Sequence, residues 1–388
     1  MQMGSDVDYV VVGCGFCGSV IARRLAEEQS AKVLILDRRN HIAGNMYDEY
    51  DSDGILVQKY GVHVFHTDKD NIFEYLSRFT EWDHYELTCL AEIQQKYVPV
   101  PFNYAAIDTF FPDRSEELKT RLKQKYPDDE RVPILELINS DDELVREFAL
   151  FLFENDYKPY TCKQWGRKPE EIEPSILSRV KVALSYDDRY FTNKYQFTPR
   201  DGFTEMFKRM LNHPNIELRL ETDFKDMISF DGDRVVVDGV NPDAKIVYTG
   251  ALDDLFDYQY GQLPYRTIGF EFFTEHVDYY LNAPFVAYPM HPTMTRMTEF
   301  KSITGQKKAG TTVVLKEFPG EYDHTVKDSE PFYPILSEAN QQIYEKYKQL
   351  SGKYSNLTIC GRLADYKYYD MDNAASRAFE VYKELVKK

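Results

Sequence analysis

The feature that most constrains this chain is a glycine pattern set between two short apolar runs near its start. Tyr9-Val10-Val11-Val12 leads into Gly13-Cys14-Gly15-Phe16-Cys17-Gly18. A helical run from Ser19 to Gln29 follows, then Lys32-Val33-Leu34-Ile35-Leu36 ends in Asp37. The order is strand, turn, helix, strand. Gly13 suits a tight turn, Gly15 lets backbone approach a pyrophosphate, and Gly18 lets the helix pack close to the strand. The free N–H groups at the helix start favour phosphate. Asp37, closing the second strand, is placed to accept hydrogen bonds from a ribose. A glycine turn in an ordinary βαβ unit is the bland alternative. The acid on the second strand favours a dinucleotide.

Charge then limits the partners. Lys plus Arg is 47 and Asp plus Glu is 64, a formal net charge of −17. That argues against nucleic acid. An anionic substrate would need particular arginines and helix ends to hold it. The 388 residues exceed one typical core, so two or three domains are expected. No apolar run approaches the roughly 20 residues of a membrane span. Met1 to Asp8 lacks a basic region and an apolar signal core, which makes a cytoplasmic protein the expectation. The cysteines Cys14, Cys17, Cys89, Cys162 and Cys360 are too few and odd in number for a disulfide framework. Cys14-x-x-Cys17 has redox spacing, but within the glycine turn these are read as small apolar residues. No cysteine–histidine spacing indicates a metal site.

Further along, Asn71–Phe79 reads as a short helix and Glu86–Val98 as β-rich, with Tyr104 to Lys163 largely helical. Within that region Asp141–Phe153 presents Leu144, Val145, Phe148, Leu152 and Phe153 on one face, with Ser140 or Asp141 as cap. Tyr157-Lys158-Pro159-Tyr160-Thr161-Cys162-Lys163-Gln164-Trp165-Gly166 crowds aromatics that can clamp a planar base or fill a packing corner. Ile216–Leu220, Arg234–Val240 and Lys245–Gly250 read as strands. Tyr265–Phe273, Pro284–Pro289 and Gly310–Lys316 read as an antiparallel sheet, with Arg296 between its segments. His63 and His66 are, on residue type alone, more often structural than catalytic.

These segments resemble the bacterial, flavin-dependent UDP-galactopyranose mutases over nearly the whole chain. The motifs that carry the resemblance are Gly13-x-Gly15-x-x-Gly18, Tyr60-Gly61-x-His63-x-Phe65-His66-Thr67 and Tyr160-Thr161-x-Lys163-Gln164-Trp165-Gly166. Tyr333-Pro334 and Gly361-Arg362-Leu363-Ala364-x-Tyr366-Lys367-Tyr368-Tyr369-Asp370-Met371 complete them. The resemblance implies an α/β fold: a split Rossmann-like FAD-binding domain, an inserted helical domain and a six-stranded antiparallel β-sheet domain. The implied division gives residues 1–75, 206–255 and 336–388 to FAD binding. It gives 76–103, 186–205 and 256–335 to the sheet, and 104–185 to the helical domain with a mobile active-site loop.

The implied reaction interconverts UDP-galactopyranose and UDP-galactofuranose without net oxidation, with N5 of reduced FAD as nucleophile at the anomeric carbon. Catalytic roles fall to Arg179, Arg296, His63, His66 and Asp370. Substrate contacts fall to Tyr157, Tyr160, Trp165, Tyr190, Tyr333 and Tyr368, with Arg179 and Arg296 clamping the diphosphate. FAD contacts fall to Gly13, Gly15, Phe16, Cys17, Gly18, Asp37, Arg38, Gly44, Asn45, His63, Asp223, Phe224, Arg362, Asp370 and Met371. The resemblance also implies a homodimer or larger homo-oligomer. Ala43 stands where the family has a glycine, which implies a slightly shifted cofactor loop. Ala287-Tyr288-Pro289-Met290-His291-Pro292 lacks an asparagine expected near the sugar. The alternatives are a UDP-N-acetylgalactopyranose mutase or an oxidoreductase of the amine-oxidase type.

Overall fold

A computed structural model describes residues 6–168, 180–327 and 329–387. Its centre is a five-stranded parallel sheet, in the order Ile216–Arg219, Val33–Leu36, Tyr9–Val12, Lys245–Tyr248, Leu357–Ile359. The strands are short continuous apolar runs, as required where both faces are covered. Val11, Ile35 and Val247 face one core with the helices Phe16–Glu28, Phe203–Leu211 and Met371–Lys387. Val10, Leu34 and Ile246 face the opposite core, beneath the helix Glu338–Ser351. The first helix begins at Phe16 rather than Ser19, because extended Gly15 already serves as its cap.

The second sheet has seven strands, one more than expected, and is not purely antiparallel. Its order is Tyr333–Pro334, Tyr265–Glu275, Thr312–Glu321, Arg296–Glu299, Phe285–Ala287, Cys89–Ile93, Lys96–Val100. The two-residue strand Tyr333–Pro334 adds an edge. Phe285–Ala287 runs parallel to Cys89–Ile93, a pairing made possible by the long helical insertion between them. Arg296 opens a strand instead of lying between strands, directly opposite Glu317.

The insertion holds helices at Tyr104–Phe110, Ser115–Lys125, Ile134–Ile138, Glu143–Leu152 and Lys158–Trp165, around its own core. A short pairing of Arg131–Pro133 with Lys181–Ala183 interrupts them. The cap before Glu143 is Asp142, neither Ser140 nor Asp141. Its carboxylate accepts from Leu144 and Val145 at 3.0 and 3.2 Å, while Asp141 turns out to Lys125. A π-helical turn, Phe153–Tyr157, joins the last two helices. Arg179 and its loop fall outside the described residues.

Candidate active site

A cavity of about 1240 Å³ opens at the carboxyl ends of the parallel strands and continues beneath the seven-stranded sheet. That is where an open α/β sheet places its ligand. At one end the glycines leave a cradle. A Cβ on Gly13 would meet the Thr249 hydroxyl, and one on Gly18 would strike the Gly13 carbonyl oxygen. A Cβ on Gly44 would lie 2.8 Å from the Gly15 Cα, so the two loops touch backbone to backbone. Ala43, fully buried, adopts φ +71°, which a glycine would take without strain. Asp37 accepts from the Cys14 and Arg39 backbone N–H groups at 2.8 and 2.9 Å. The Cys14 thiol donates to it as well, at 3.1 Å, so its carboxylate also shapes the turn. Arg38 and Arg39 both reach Glu330 across the cavity, at 2.6 and 3.1 Å.

The middle of the cavity is built on two histidines. Buried Gln58 grips the His63 peptide from both sides: its amide donates to the His63 carbonyl at 3.0 Å, and its oxygen accepts the His63 N–H at 2.6 Å. Among the described residues His63 Nδ1 has no hydrogen-bond partner. Burial, then the positive Arg362 and Arg296, lower its pKa to about 3, so the ring is neutral. His66 pairs through Nδ1 with Asn193 Oδ1 at 3.0 Å and stacks on Phe191 at 3.6 Å between ring centres.

The far end carries the cation. Arg296 Nε lies 2.8 Å from Glu317 Oε1, with Glu317 only 2% exposed and Arg296 open to the cavity. Tyr160 and Trp165 line the same wall. Lys163 donates to the carbonyls of Tyr288, Pro289 and His291 at 2.7, 3.0 and 2.6 Å, tying this helix to the loop that precedes Arg296. Across from them Tyr333 and Tyr368 stack at 5.8 Å, with the Arg362 guanidinium 5.1 Å from the Tyr333 ring.

One cavity thus gathers nearly every residue singled out from the sequence, including Phe16, Cys17, Asn45, Tyr190, Asp223, Phe224, Asp370 and Met371. Gly18 sits under the turn and Tyr157 lies behind the wall, packed against Phe102. Gln58, Asn193, Lys163, Glu317 and Glu330 were not singled out. For Glu317 the signal exists only in the strand register. Lys163 stood inside a quoted motif, but its partners are backbone atoms over 120 residues away.

The fold and the cavity define an α/β protein of the dinucleotide-binding class, with a glycine cradle and Arg296 in one cavity. Residues 155–368 match the UDP-galactopyranose mutase family, and residues 11–79 an NAD(P)-binding Rossmann-like domain. A dTDP-fucopyranose mutase of Escherichia coli is 34% identical, covering 97% of this chain and 98% of its own. A UDP-galactopyranose mutase of Mycoplasma pneumoniae is 31% identical, with 98% and 96% covered. A probable UDP-galactopyranose mutase of Klebsiella pneumoniae is 34% identical, with 98% and 95% covered. A crystal structure of reduced UDP-galactopyranose mutase superposes with a TM-score of 0.72 at 14% identity, over 98% and 96% of the two chains. Putrescine oxidase shares the fold at a TM-score of 0.61 and 10% identity, over 98% and 99%. The chain belongs to the UDP-galactopyranose mutase family. It is an enzyme of the isomerase class, and FAD is the cofactor its cradle takes.

Proposed function

We propose that this protein interconverts UDP-galactopyranose and UDP-galactofuranose in the presence of reduced FAD. The observation that carries the reading is one cavity with a glycine cradle at one end and Arg296, backed by buried Glu317, at the other. When bound, FAD supplies an electron-rich centre for reaction at the anomeric carbon. The chain supplies the rest. Arg296 stays charged and faces the diphosphate, where its planar fork matches two oxygens. Arg179 is assigned to the same group. Tyr190, Tyr333 and Tyr368 offer hydroxyls along the diphosphate, and Tyr160 and Trp165 offer faces to the base. Neutral His63, together with His66 and Asp370, borders the reacting sugar and the cofactor without adding a cation.

The test is a chromatographic product assay of purified holoenzyme with UDP-galactofuranose, with and without dithionite. Conversion only under reduction supports the reading; no conversion with FAD bound overturns it. Arg296→Ala is expected to keep FAD and lose nearly all turnover. A second reading, dTDP-fucopyranose as substrate, is favoured by the 34% identity to the Escherichia coli mutase, equal to that of the Klebsiella relative. Running both sugar nucleotides in parallel separates the two.

We also place the protein in the cytoplasm as a homodimer or larger assembly. Among the described residues Cys14, Cys17, Cys89 and Cys360 are free thiols, as a reducing compartment maintains them. Among the described residues no helix is long and apolar enough to cross a membrane. Light scattering reads the assembly state.

A further inference from the structure

The motif that runs from Gly361 to Met371 leaves one position open, and Asp365 fills it. Arg362, Leu363, Tyr368, Tyr369, Asp370 and Met371 line the cavity, and Asp365 stands behind them. It is 7% exposed, and its carboxylate gathers the turn that carries the others. Asp365 holds Gly361 from both sides. Its backbone N–H donates to the Gly361 carbonyl at 2.8 Å, and its Oδ2 accepts the Gly361 N–H at 3.1 Å. The same oxygen accepts the Tyr369 hydroxyl at 3.1 Å and Arg377 Nε at 3.0 Å, while Oδ1 accepts Arg377 Nη2 at 3.3 Å. One side chain therefore joins the start of the turn, its end and the last helix, Met371–Lys387.

The turn needs such a tie. Tyr366 adopts φ +47°, a region that a bulky side chain rarely takes, and is pinned there by its hydroxyl, which reaches the carbonyls of Pro264 and Ile335. At its start the turn backs onto the glycine cradle: a Cβ on Gly361 would lie 3.5 Å from Cys17 Sγ and 3.6 Å from Thr249 Cβ. At its end Tyr368 stacks on Tyr333, and the Arg362 guanidinium stands over the same Tyr333 ring. A shift of this turn moves both ends of the cavity together.

Resting on the nucleotide-sugar reading, we infer that Asp365 is a positioning residue for the reaction. It holds the turn 361–370 so that Arg362 meets the cofactor and Tyr368 meets the diphosphate in one register. Arg377 has the smaller part. It anchors the carboxylate to the helix, whereas the hold on Gly361 and Tyr369 is made by Asp365 itself and survives without the guanidinium.

The experiment compares the FAD-bound wild type with Asp365→Ala, Asp365→Asn and Arg377→Gln. It measures melting temperature, amide hydrogen exchange across 361–370, and kcat on the sugar nucleotide that the wild type converts. Asp365→Ala and Arg377→Gln both break the ion pair, and both are expected to melt lower. Asp365→Ala alone is expected to speed exchange in the turn, by at least about tenfold. It is also expected to lower kcat about 10–100-fold, the range for a group displaced by roughly 1 Å. Asp365→Asn keeps an acceptor for the Gly361 N–H and is expected to recover part of the loss, with kcat about 3–10-fold below the wild type. Arg377→Gln is expected to stay within about threefold of the wild type in kcat and in exchange across the turn. Equal losses of kcat in Asp365→Ala and Arg377→Gln would reduce Asp365 to half of a structural ion pair and overturn the inference. Wild-type exchange and kcat in Asp365→Ala would overturn it too. Should Asp365→Ala lose FAD, Asp365→Asn is compared with Arg377→Gln in its place, under the same criteria. A wild type that converts neither sugar nucleotide overturns the nucleotide-sugar reading, while exchange across the turn still decides whether Asp365 holds it.

Discussion

Arg296 and Glu317 face each other across two antiparallel strands, Nε to Oε1 at 2.8 Å, with the carboxylate sealed beneath the sheet and the guanidinium reaching the cavity. Among the described residues Glu317 makes no other ion pair, so its role is to hold this arginine. The Arg296 pKa is raised despite burial, chiefly by Glu317 and then by Tyr160. Glu317→Gln keeps the shape and removes the charge. Breaking a buried pair costs about 3–5 kcal/mol, and the partial exposure of Arg296 argues for the lower end. We expect a lowered melting temperature and a kcat reduced at least tenfold, with FAD content unchanged. Wild-type turnover in this variant would remove the pair from the chemistry.

The two-sided grip of Gln58 on the His63 peptide sets where the histidine ring stands. Gln58→Leu strands a buried N–H and a carbonyl, at about 1–3 kcal/mol each. A shifted flavin absorption spectrum and slower turnover are the expected signs. A spectrum identical to that of the wild type would show that the grip does not reach the cofactor.

His63 also gives a pH prediction. Its pKa falls from 6.5 to about 3 on folding, because burial and the nearby arginines oppose its charge. Below pH 6.5 the unfolded chain binds a proton that the native one refuses, so this residue's contribution to stability declines as pH drops from 6.5 toward 3. Above that window it contributes nothing to the pH dependence. His63→Gln should flatten the stability curve between pH 6 and 4 in chemical denaturation. An unchanged slope would place the proton elsewhere.

Lys163 closes three carbonyls of one loop. Lys163→Met leaves the Pro289 and His291 carbonyls without that donor and the Tyr288 carbonyl with only the His291 N–H, costing roughly 1–3 kcal/mol, and loosens the segment that leads into Arg296. Faster hydrogen exchange across 288–295 is expected, with a higher KM for the sugar nucleotide. Exchange unchanged there would refute the tie.

Gly18→Ala tests the cradle. The new methyl meets the Gly13 carbonyl oxygen, and neither backbone segment can yield without moving the turn. The protein is expected to purify with little FAD absorbance. Normal FAD content would show the turn to be softer than its packing.

The contrast between what the sequence disclosed and what it hid follows from distance along the chain. The glycine turn, its two strands and Asp37 are contiguous, so local rules identify them. Asp142 was missed as a cap by one residue, since Ser140, Asp141 and Asp142 are all good caps and only the fold directs Asp141 to Lys125. Glu317 and Gln58 escape any local rule. Their partners are set by strand register and loop closure, and neither residue type announces a site. The seventh strand, Tyr333–Pro334, is too short and too proline-rich to register as one.

The parallel sheet has a consequence for how the protein comes into being. Tyr9–Val12 can pair with Val33–Leu36 as soon as both leave the ribosome, but its other edge waits for Lys245–Tyr248, and the sheet is not complete until Leu357–Ile359. During most of synthesis an apolar strand edge stands open, a slow and aggregation-exposed arrangement. The cavity is not complete until Thr249, Gly250 and Arg362 have all arrived. FAD supply should therefore govern how much newly made chain reaches the native state, over and above its effect on activity.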